Sequence, residues 1–254
     1  MIDFHNHVLP SVDDGSSSLK MSLDMLKKAF EDNTDTIVNT VHFNHPKMQF
    51  INTDADNIRN QCLLLEEEAH KKNMKINIIP HAEVYYDDKI LEAKNNPITL
   101  LNDKYMLVEF SPVIEPIFYK ENFYKLQLEG ITPIIAHVER YRSVQKNAKI
   151  VKEWINLGYI IQINCASLIG DFGKEIKSVS ENLFRNGLVH ILGSDAHNNG
   201  NRNFCLKNAL SIVEKNFGEN QKAQIIQNLD NLLLNEQLKT INPSKRKSIF
   251  DAIF

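Results

Sequence analysis

Residues 1–15, MIDFHNHVLPSVDDG, decide how this chain is read. Side chains alternate along an extended segment, so His5 and His7 leave on one side, about 7 Å apart. Two imidazoles so placed can meet at a single ion. Asp13-Asp14-Gly15 then reads as a turn that swings a carboxylate back over the end of that strand. Such an end carries chemistry only if other strands finish beside it.

Beyond this stretch the chain alternates. Segments 34–42 (TDTIVNTVH), 75–83 (KINIIPHAE), 104–110 (KYMLVEF), 131–137 (ITPIIAH), 159–164 (YIIQIN) and 188–197 (LVHILGSDAH) are short apolar runs. Runs of this kind suit parallel strands buried on both faces. Amphipathic helices are predicted between them. Residues 18–33 place Leu19, Leu23, Leu26 and Phe30 on one face, and 53–73, entered through an Asp or Thr cap, places Ile58, Cys62, Leu65 and Ala69 in its stripe. Further helices are predicted at 87–94, 119–130, 147–158 and 174–187, and two more, 204–217 and 219–236, complete the pattern. Strand–helix units joined by right-handed crossovers close into a barrel or spread into a doubly wound sheet. With no repeat, low-complexity run or linker, one domain over residues 1–254 is expected.

Composition removes several classes of function. An apolar content of 43% and a charged content of 24% are those of a soluble globule. A net charge of -3 and a pI near 6.3 argue against a dedicated nucleic-acid binder. The run Lys245, Arg246, Lys247 reads as a solvated tail. No run approaches the ~20 apolar residues that span a bilayer, and the first residues lack a signal peptide's basic start and apolar core. A cytoplasmic protein without membrane insertion is expected. Cys62, Cys165 and Cys205 are too scattered for a disulfide framework or a thiolate zinc site.

The nine histidines are the unusual inventory. The C-terminal ends of the predicted strands carry His5 and His7, then His42, Glu83, Glu109 and His137, and finally Asp195 and His197. Parallel barrels build their active sites from these ends, and core histidines have no reason to gather there. A lone histidine is more often a hydrogen-bonded structural residue. His190, inside the last predicted strand, is read that way, and His70 as solvated. His45 and His81 lie near the rim but off its pattern. A donor set of nitrogen and oxygen without thiolate suits manganese, iron or zinc better than calcium or copper(I).

The segments DFHNHVLPSVDDG (3–15), AEVYY (82–86), VEF (108–110), AHVERY (136–141) and GSDAHNNGNR (193–202) resemble the motifs of the polymerase-and-histidinol-phosphatase (PHP) superfamily. Within it they are most similar to the bacterial CpsB-like tyrosine-protein phosphatases of capsule and exopolysaccharide clusters. An H-x-H pair alone is weak, whereas HxHxLPxxDDG together with SDAHN is specific. The resemblance runs from Met1 to about Arg202. It implies an α/β fold, a distorted seven-stranded (β/α) barrel with extra C-terminal helices, holding three divalent ions: manganese, with iron or zinc as alternatives. Matched motif by motif, His5, His7, Glu83 and Asp195 would hold one ion. Glu83 would be shared with a second, which also takes Glu109 and His137, and Asp14, His42 and His197 would hold the third. Arg140 and Arg202 match the family's phosphate-binding arginines. The chain departs from the family at Val41 and Val138, where proline is usual, and at Phe43, where a second histidine often follows His42. These departures bear on loop shape and substrate preference rather than on the ligands.

The implied reaction is hydrolysis of phosphotyrosine on a protein, expected to be the tail of a bacterial tyrosine kinase. Four carboxylates against three dications leave about +2, a field suited to a phosphate dianion. Water between such ions is expected to ionise near neutral pH and attack phosphorus in line, while Arg140 binds the outer oxygens. A tyrosinate, of pKa near 10, leaves without a strong general acid. A cysteine nucleophile is excluded, because Glu68, Asp171 and Ser211 stand where arginine would follow each cysteine. The competing readings are a phosphoesterase for a small phosphomonoester such as histidinol phosphate, one for nucleic-acid ends, and a non-catalytic module that binds the kinase tail. The acidic balance disfavours nucleic acid, the LPxxDDG opening disfavours a metabolite, and the complete ligand set disfavours mere binding.

Overall fold

Every apolar run becomes a strand. The computed structural model describes residues 1–48, 53–113 and 118–240, so the basic run at Lys245 to Lys247 lies outside the described residues. Its strands are β1 (Ile2–Asp3), β2 (Thr36–Phe43), β3 (Asn77–Tyr85), β4 (Tyr105–Glu109), β5 (Thr132–Ile135), β6 (Ile160–Asn164) and β7 (Ile191–Gly193). They follow one another in chain order, each parallel to the next. Between them run α1 (Leu19–Glu31), α2 (Ala55–Lys71), α3 (Ile90–Ala93), α4 (Tyr119–Leu128), α5 (Arg142–Lys146), α6 (Lys149–Asn156), α7 (Cys165–Ile169) and α8 (Lys174–Arg185). After β7 come α9 (Leu206–Phe217) and α10 (Glu219–Leu233). A bridge between Asn6 and Ala196 brings the first strand segment against the last, giving a nearly closed barrel. Of the two architectures that strand–helix alternation allows, the chain adopts the barrel. The turns at α5 and α7 are too short for a helical period to register in sequence.

Strands β1 and β7 stop well short of the extended segments read from the sequence, for one reason: side chains take over backbone hydrogen bonds. After Asp3 the His5 amide donates to Asp3 Oδ1, the Asn6 amide to Thr40 Oγ1, and the Val8 and Leu9 amides to Asn39 Oδ1. The regular ladder stops, yet the chain stays extended enough for His5 and His7 to face the same space. At the other end, His190 lies just before β7 rather than inside it. Its Nδ1 accepts from the Ile161 amide at 3.0 Å, where a strand carbonyl would otherwise stand.

Apolar alternation on β2 divides the core. Ile37 and Val41 pack with Leu26 of α1 and Ile58 and Leu65 of α2, while Val38 joins Phe4, Val84 and Leu107 in the other cluster. Helix α2 buries Ile58, Cys62, Leu65 and Ala69 as its period predicts, and its cap is Asp54, which accepts from the Asn57 amide. Helix α1 differs from expectation. Its buried stripe is rotated toward Met25 and Ala29, leaving Leu19 43% and Phe30 40% exposed at the edge. Ser22 accounts for part of the rotation: buried, it donates to Ser16 Oγ at 2.8 Å and ties the helix to the turn after His7.

Candidate metal centre

Strand register brings the polar ends together. His42 on β2 stands opposite Glu83 on β3, and Tyr85 on β3 opposite Glu109 on β4. Glu83 is central: its Oε2 lies 3.3 Å from His5 Nε2, 3.4 Å from His7 Nε2 and 3.3 Å from His42 Nδ1, and its Oε1 2.9 Å from His137 Nε2. Glu109 approaches His42 Nδ1 at 3.4 Å and His137 Nε2 at 3.7 Å. Asp195 Oδ1 lies 3.7 Å from both His5 and His7 Nε2 and 3.3 Å from His197 Nδ1. Asp14 Oδ1 lies 3.3 Å from His42 Nε2 and 3.4 Å from His197 Nε2. All nine residues predicted as ligands thus meet at one mouth. The grouping is more interleaved than the motifs imply. His7 stands with Asp14, His42 and His197 as well as with His5 and Glu83, and His42 also stands with Glu83 and Glu109.

The donors fit a metal. Nε2 of His5, Nε2 of His7, Nδ1 of His42 and Oε1 of Glu109 are buried and have no hydrogen-bond partner among the described residues. A buried donor or acceptor left this way is costly, and four converging on one space call for a shared partner. Most of their separations, 3.3–3.7 Å, exceed ordinary hydrogen bonds. They resemble the edges between donors bound at ~2.0–2.2 Å to one ion, roughly 3–3.6 Å.

A second layer of residues aims the rings. Asp13 Oδ2 lies 2.7 Å from His7 Nδ1 and accepts from the His42 amide at 3.1 Å. Gln162 Oε1 lies 3.2 Å from His5 Nδ1 and accepts from the His137 amide at 2.7 Å. His197 Nδ1 lies 2.9 Å from the Asp195 carbonyl. Each contact holds a proton on Nδ1 and presents Nε2 to the mouth. Asn164 accepts from Gln162 and donates to Asp195 Oδ2 at 2.7 Å. Asp13, Gln162 and Asn164 were missed as site residues. The signal for the last two was two amides at alternate positions of an otherwise apolar buried strand.

Close approach and backbone conformation also constrain this region. A Cβ on Gly15 would fall 2.2 Å from the His7 carbonyl oxygen, and one on Gly193 2.5 Å from His5 Cβ. Only glycine lets the Asp13–Asp14 turn and the end of β7 pack against the two histidines. His137 and Asp195 themselves adopt left-handed conformations, with φ of 32° and 52°. Such strain persists where surrounding bonds over-determine it. Here Gln162 holds the His137 amide, and the Asp195 amide donates to the His5 carbonyl at 2.6 Å.

The electrostatics favour a cation, proton or metal, on His5, His7 and His42, whereas burial and the neighbouring His7 hold His197 below its ordinary value. Burial acts to lower His7 and His42, but the carboxylates overcome it: Asp13 and Glu83 hold His7 at about 9, and Asp14, Glu109 and Glu83 hold His42 at about 11. Burial would raise the carboxyls of Glu83 and Asp195, yet both are held well below the usual range. For Glu83 the cause is His5, His137 and His7; for Asp195 it is His5, His197, Arg202 and Arg140. Arg140 Nη1 and Arg202 Nη2 both donate to Asp195 Oδ2, at 3.2 and 3.0 Å. Beyond the phosphate-binding role that the motif implies, this contact links Arg140 to the centre. Each arginine remains about one-third exposed, and Arg202 Nε has no partner among the described residues.

Residues outside the motif pattern separate cleanly. His45 lies at the mouth, with Nε2 3.6 Å from Glu109 Oε1. His81 is buried beside Phe4, and its Nδ1 lies 2.9 Å from the Ile98 carbonyl, a structural role. Burial pushes the Cys62 thiol up to about 12 and raises Cys165 well above its ordinary value, so neither is a nucleophile.

Fold and site together define a seven-stranded parallel β/α barrel with a histidine–carboxylate centre and two arginines at its C-terminal mouth. More particularly, the chain belongs to the capsular polysaccharide synthesis CpsB/CapC family, whose model matches residues 1–235. It is 32% identical over 254 residues to the tyrosine-protein phosphatase YwqE of Bacillus subtilis (strain 168), covering 98% of this chain and 99% of that one. It is 32% identical over 247 residues to the tyrosine-protein phosphatase CpsB of Streptococcus agalactiae serotype III, covering 94% and 100%. A solved structure from work on YwqE of Bacillus subtilis and CpsB of Streptococcus pneumoniae, described as unique metal-dependent tyrosine phosphatases, superposes with a TM-score of 0.89. The match is at 33% identity, over 97% of this chain and 100% of that one.

Proposed function

We propose that this chain is a metal-dependent tyrosine-protein phosphatase, folded as one metallophosphatase domain over residues 1–254. Its substrate is the phosphorylated tail of a bacterial tyrosine kinase that controls capsule or exopolysaccharide synthesis, and it works in the cytoplasm. The observation that carries the reading is the convergence of unpartnered imidazole and carboxylate donors beside two arginines, in a chain of the CpsB/CapC family. Three divalent ions are assigned, manganese first and iron or zinc as alternatives: one to His5, His7, Glu83 and Asp195, one to Glu83, Glu109 and His137, and one to Asp14, His42 and His197. When bound, the ions supply Lewis acidity that acidifies water and offsets phosphate charge.

The chain's own residues do the rest. Asp13 and Gln162 keep protons on the Nδ1 atoms of His7 and His5, so both rings offer Nε2. Arg140 and Arg202, anchored on Asp195, turn their remaining N–H groups toward the non-bridging oxygens of a phosphate. Those donors meet charge that grows as phosphorus is attacked. The buried thiols take no part.

The deciding test compares turnover of a phosphotyrosyl peptide with that of histidinol phosphate by metal-loaded protein, before and after exhaustive chelation. The expected result is a strong preference for the peptide, lost with the metal and restored by manganese. Preference for histidinol phosphate, or full activity in verified metal-free protein, refutes the reading.

A further inference from the structure

The centre has two unlike flanks. On one, Arg140 and Arg202 cover Asp195, and Phe172 is already engaged by Arg140, its ring centroid 5.5 Å from the guanidinium carbon. On the other, Glu109 faces His42 and His45, and there a cavity of about 490 Å³ opens. His42 belongs to the cavity wall, as do Asn44, His45, Tyr85, Asp87 and Lys89. The volume falls among those of small-molecule sites, roughly 300–1,000 Å³. Three rings line it, and two of them, His45 and Tyr85, pack edge to face, centroids 5.1 Å apart and planes at 82°. Tyr85 follows Glu83 by two positions on β3, so strand alternation sends both side chains to the same side.

We infer that this cavity receives the tyrosyl ring of the substrate, with Tyr85 and His45 as its specificity-determining contacts. The inference rests on the phosphatase reading above. Phosphate drawn to the two arginines directs its ester oxygen toward the Glu109 flank, and whatever that oxygen carries enters the cavity. An edge-to-face pair leaves ring surface on which a third aromatic ring can pack. Asp87 and Lys89 line the same cavity and offer charge to the peptide that flanks the ring. An alkyl phosphate such as phosphoserine brings no ring to these contacts. The site therefore selects aryl esters by shape, beyond the advantage of their better leaving group.

The test uses metal-loaded parent, Tyr85→Ala and Tyr85→Phe, with metal content verified for each. Two substrates are compared: a phosphotyrosyl peptide and acetyl phosphate, which has a good leaving group and no ring. The ratio of kcat/KM for the peptide to that for acetyl phosphate is expected to fall about tenfold in Tyr85→Ala, chiefly through KM, and to stay near the parent value in Tyr85→Phe. Tyr85→Gln, of similar reach, replaces the alanine variant if that one does not fold. An unchanged ratio, whether both activities fall together or neither moves, overturns the inference. So does a loss of ratio in Phe172→Ala in place of Tyr85→Ala, which puts the ring on the arginine flank. A parent that turns over acetyl phosphate but no phosphotyrosyl peptide refutes the phosphatase reading itself, and the ring site with it.

Discussion

The two ends of the barrel both hold buried histidine and a cavity of similar size, yet they are built on opposite rules. At the base, where strands begin, a cavity of about 540 Å³ is lined by Tyr105, Tyr159 and His190 among others. Polar groups there are matched in pairs. His190 Nδ1 accepts from the Ile161 amide, Asn228 donates to the His190 and Lys239 carbonyls at 2.8 Å each, and the Tyr105 hydroxyl donates to the Glu236 carbonyl at 3.1 Å. Burial alone pushes His190 down to about 4. At the mouth burial acts on His42 in the same direction, but surrounding carboxylates reverse it and hold the ring at about 11. Neither burial nor cavity volume marks a functional end. A set of converging donors without partners does.

The largest way to break the contrast is to remove the carboxylate that the mouth shares. Glu83→Ala should lose at least one ion by metal analysis and lower kcat by more than about 10³-fold. A variant that keeps three ions and parental kcat would refute the shared-carboxylate assignment. Arg140→Ala tests the next layer. Because Arg140 touches Asp195 but none of the ring nitrogens, metal content should match the parent while kcat/KM falls about 10²- to 10³-fold. Loss of metal with the activity would mean that Arg140 works through Asp195 and not on phosphate.

A smaller effect is expected from the aiming residues. Gln162→Leu removes the acceptor for His5 Nδ1 and for the His137 amide, so manganese affinity should weaken about 10- to 100-fold, read by direct titration. The smallest effect belongs to the base. His190 has a folded pKa near 4 against an ordinary 6.5, so the unfolded chain takes up its proton first. Its contribution is full above pH 6.5 and is lost as pH falls from there toward 4. Between pH 7 and 5.5 this amounts to about 1 kcal/mol. His190→Asn keeps an acceptor where Nδ1 stands, and should lose less stability than the parent over that interval in urea titrations. Equal losses would remove His190 from the account.

Local features of the sequence determined a good deal. Apolar runs bounded by amphipathic stretches specify parallel strands alternating with helices, because period and burial are properties of neighbouring residues. The same locality put imidazoles and carboxylates at strand ends and let DDG be read as a turn back over His7. Tertiary structure decided which of these groups meet. His45 and His81 look alike as off-pattern histidines, yet register sends one to Glu109 at the mouth and the other to the Ile98 carbonyl. Arg140, after β5, and Arg202, after β7, share one oxygen of Asp195 only because the sheet sets the ends of β5, β6 and β7 side by side. His7 joins a second group of donors, Gln162 of β6 aims the His5 ring and Asn164 holds Asp195, through contacts between segments far apart in the chain. Periodicity reports which way a side chain faces along its own strand; what it faces is set by the register and closure of the whole barrel.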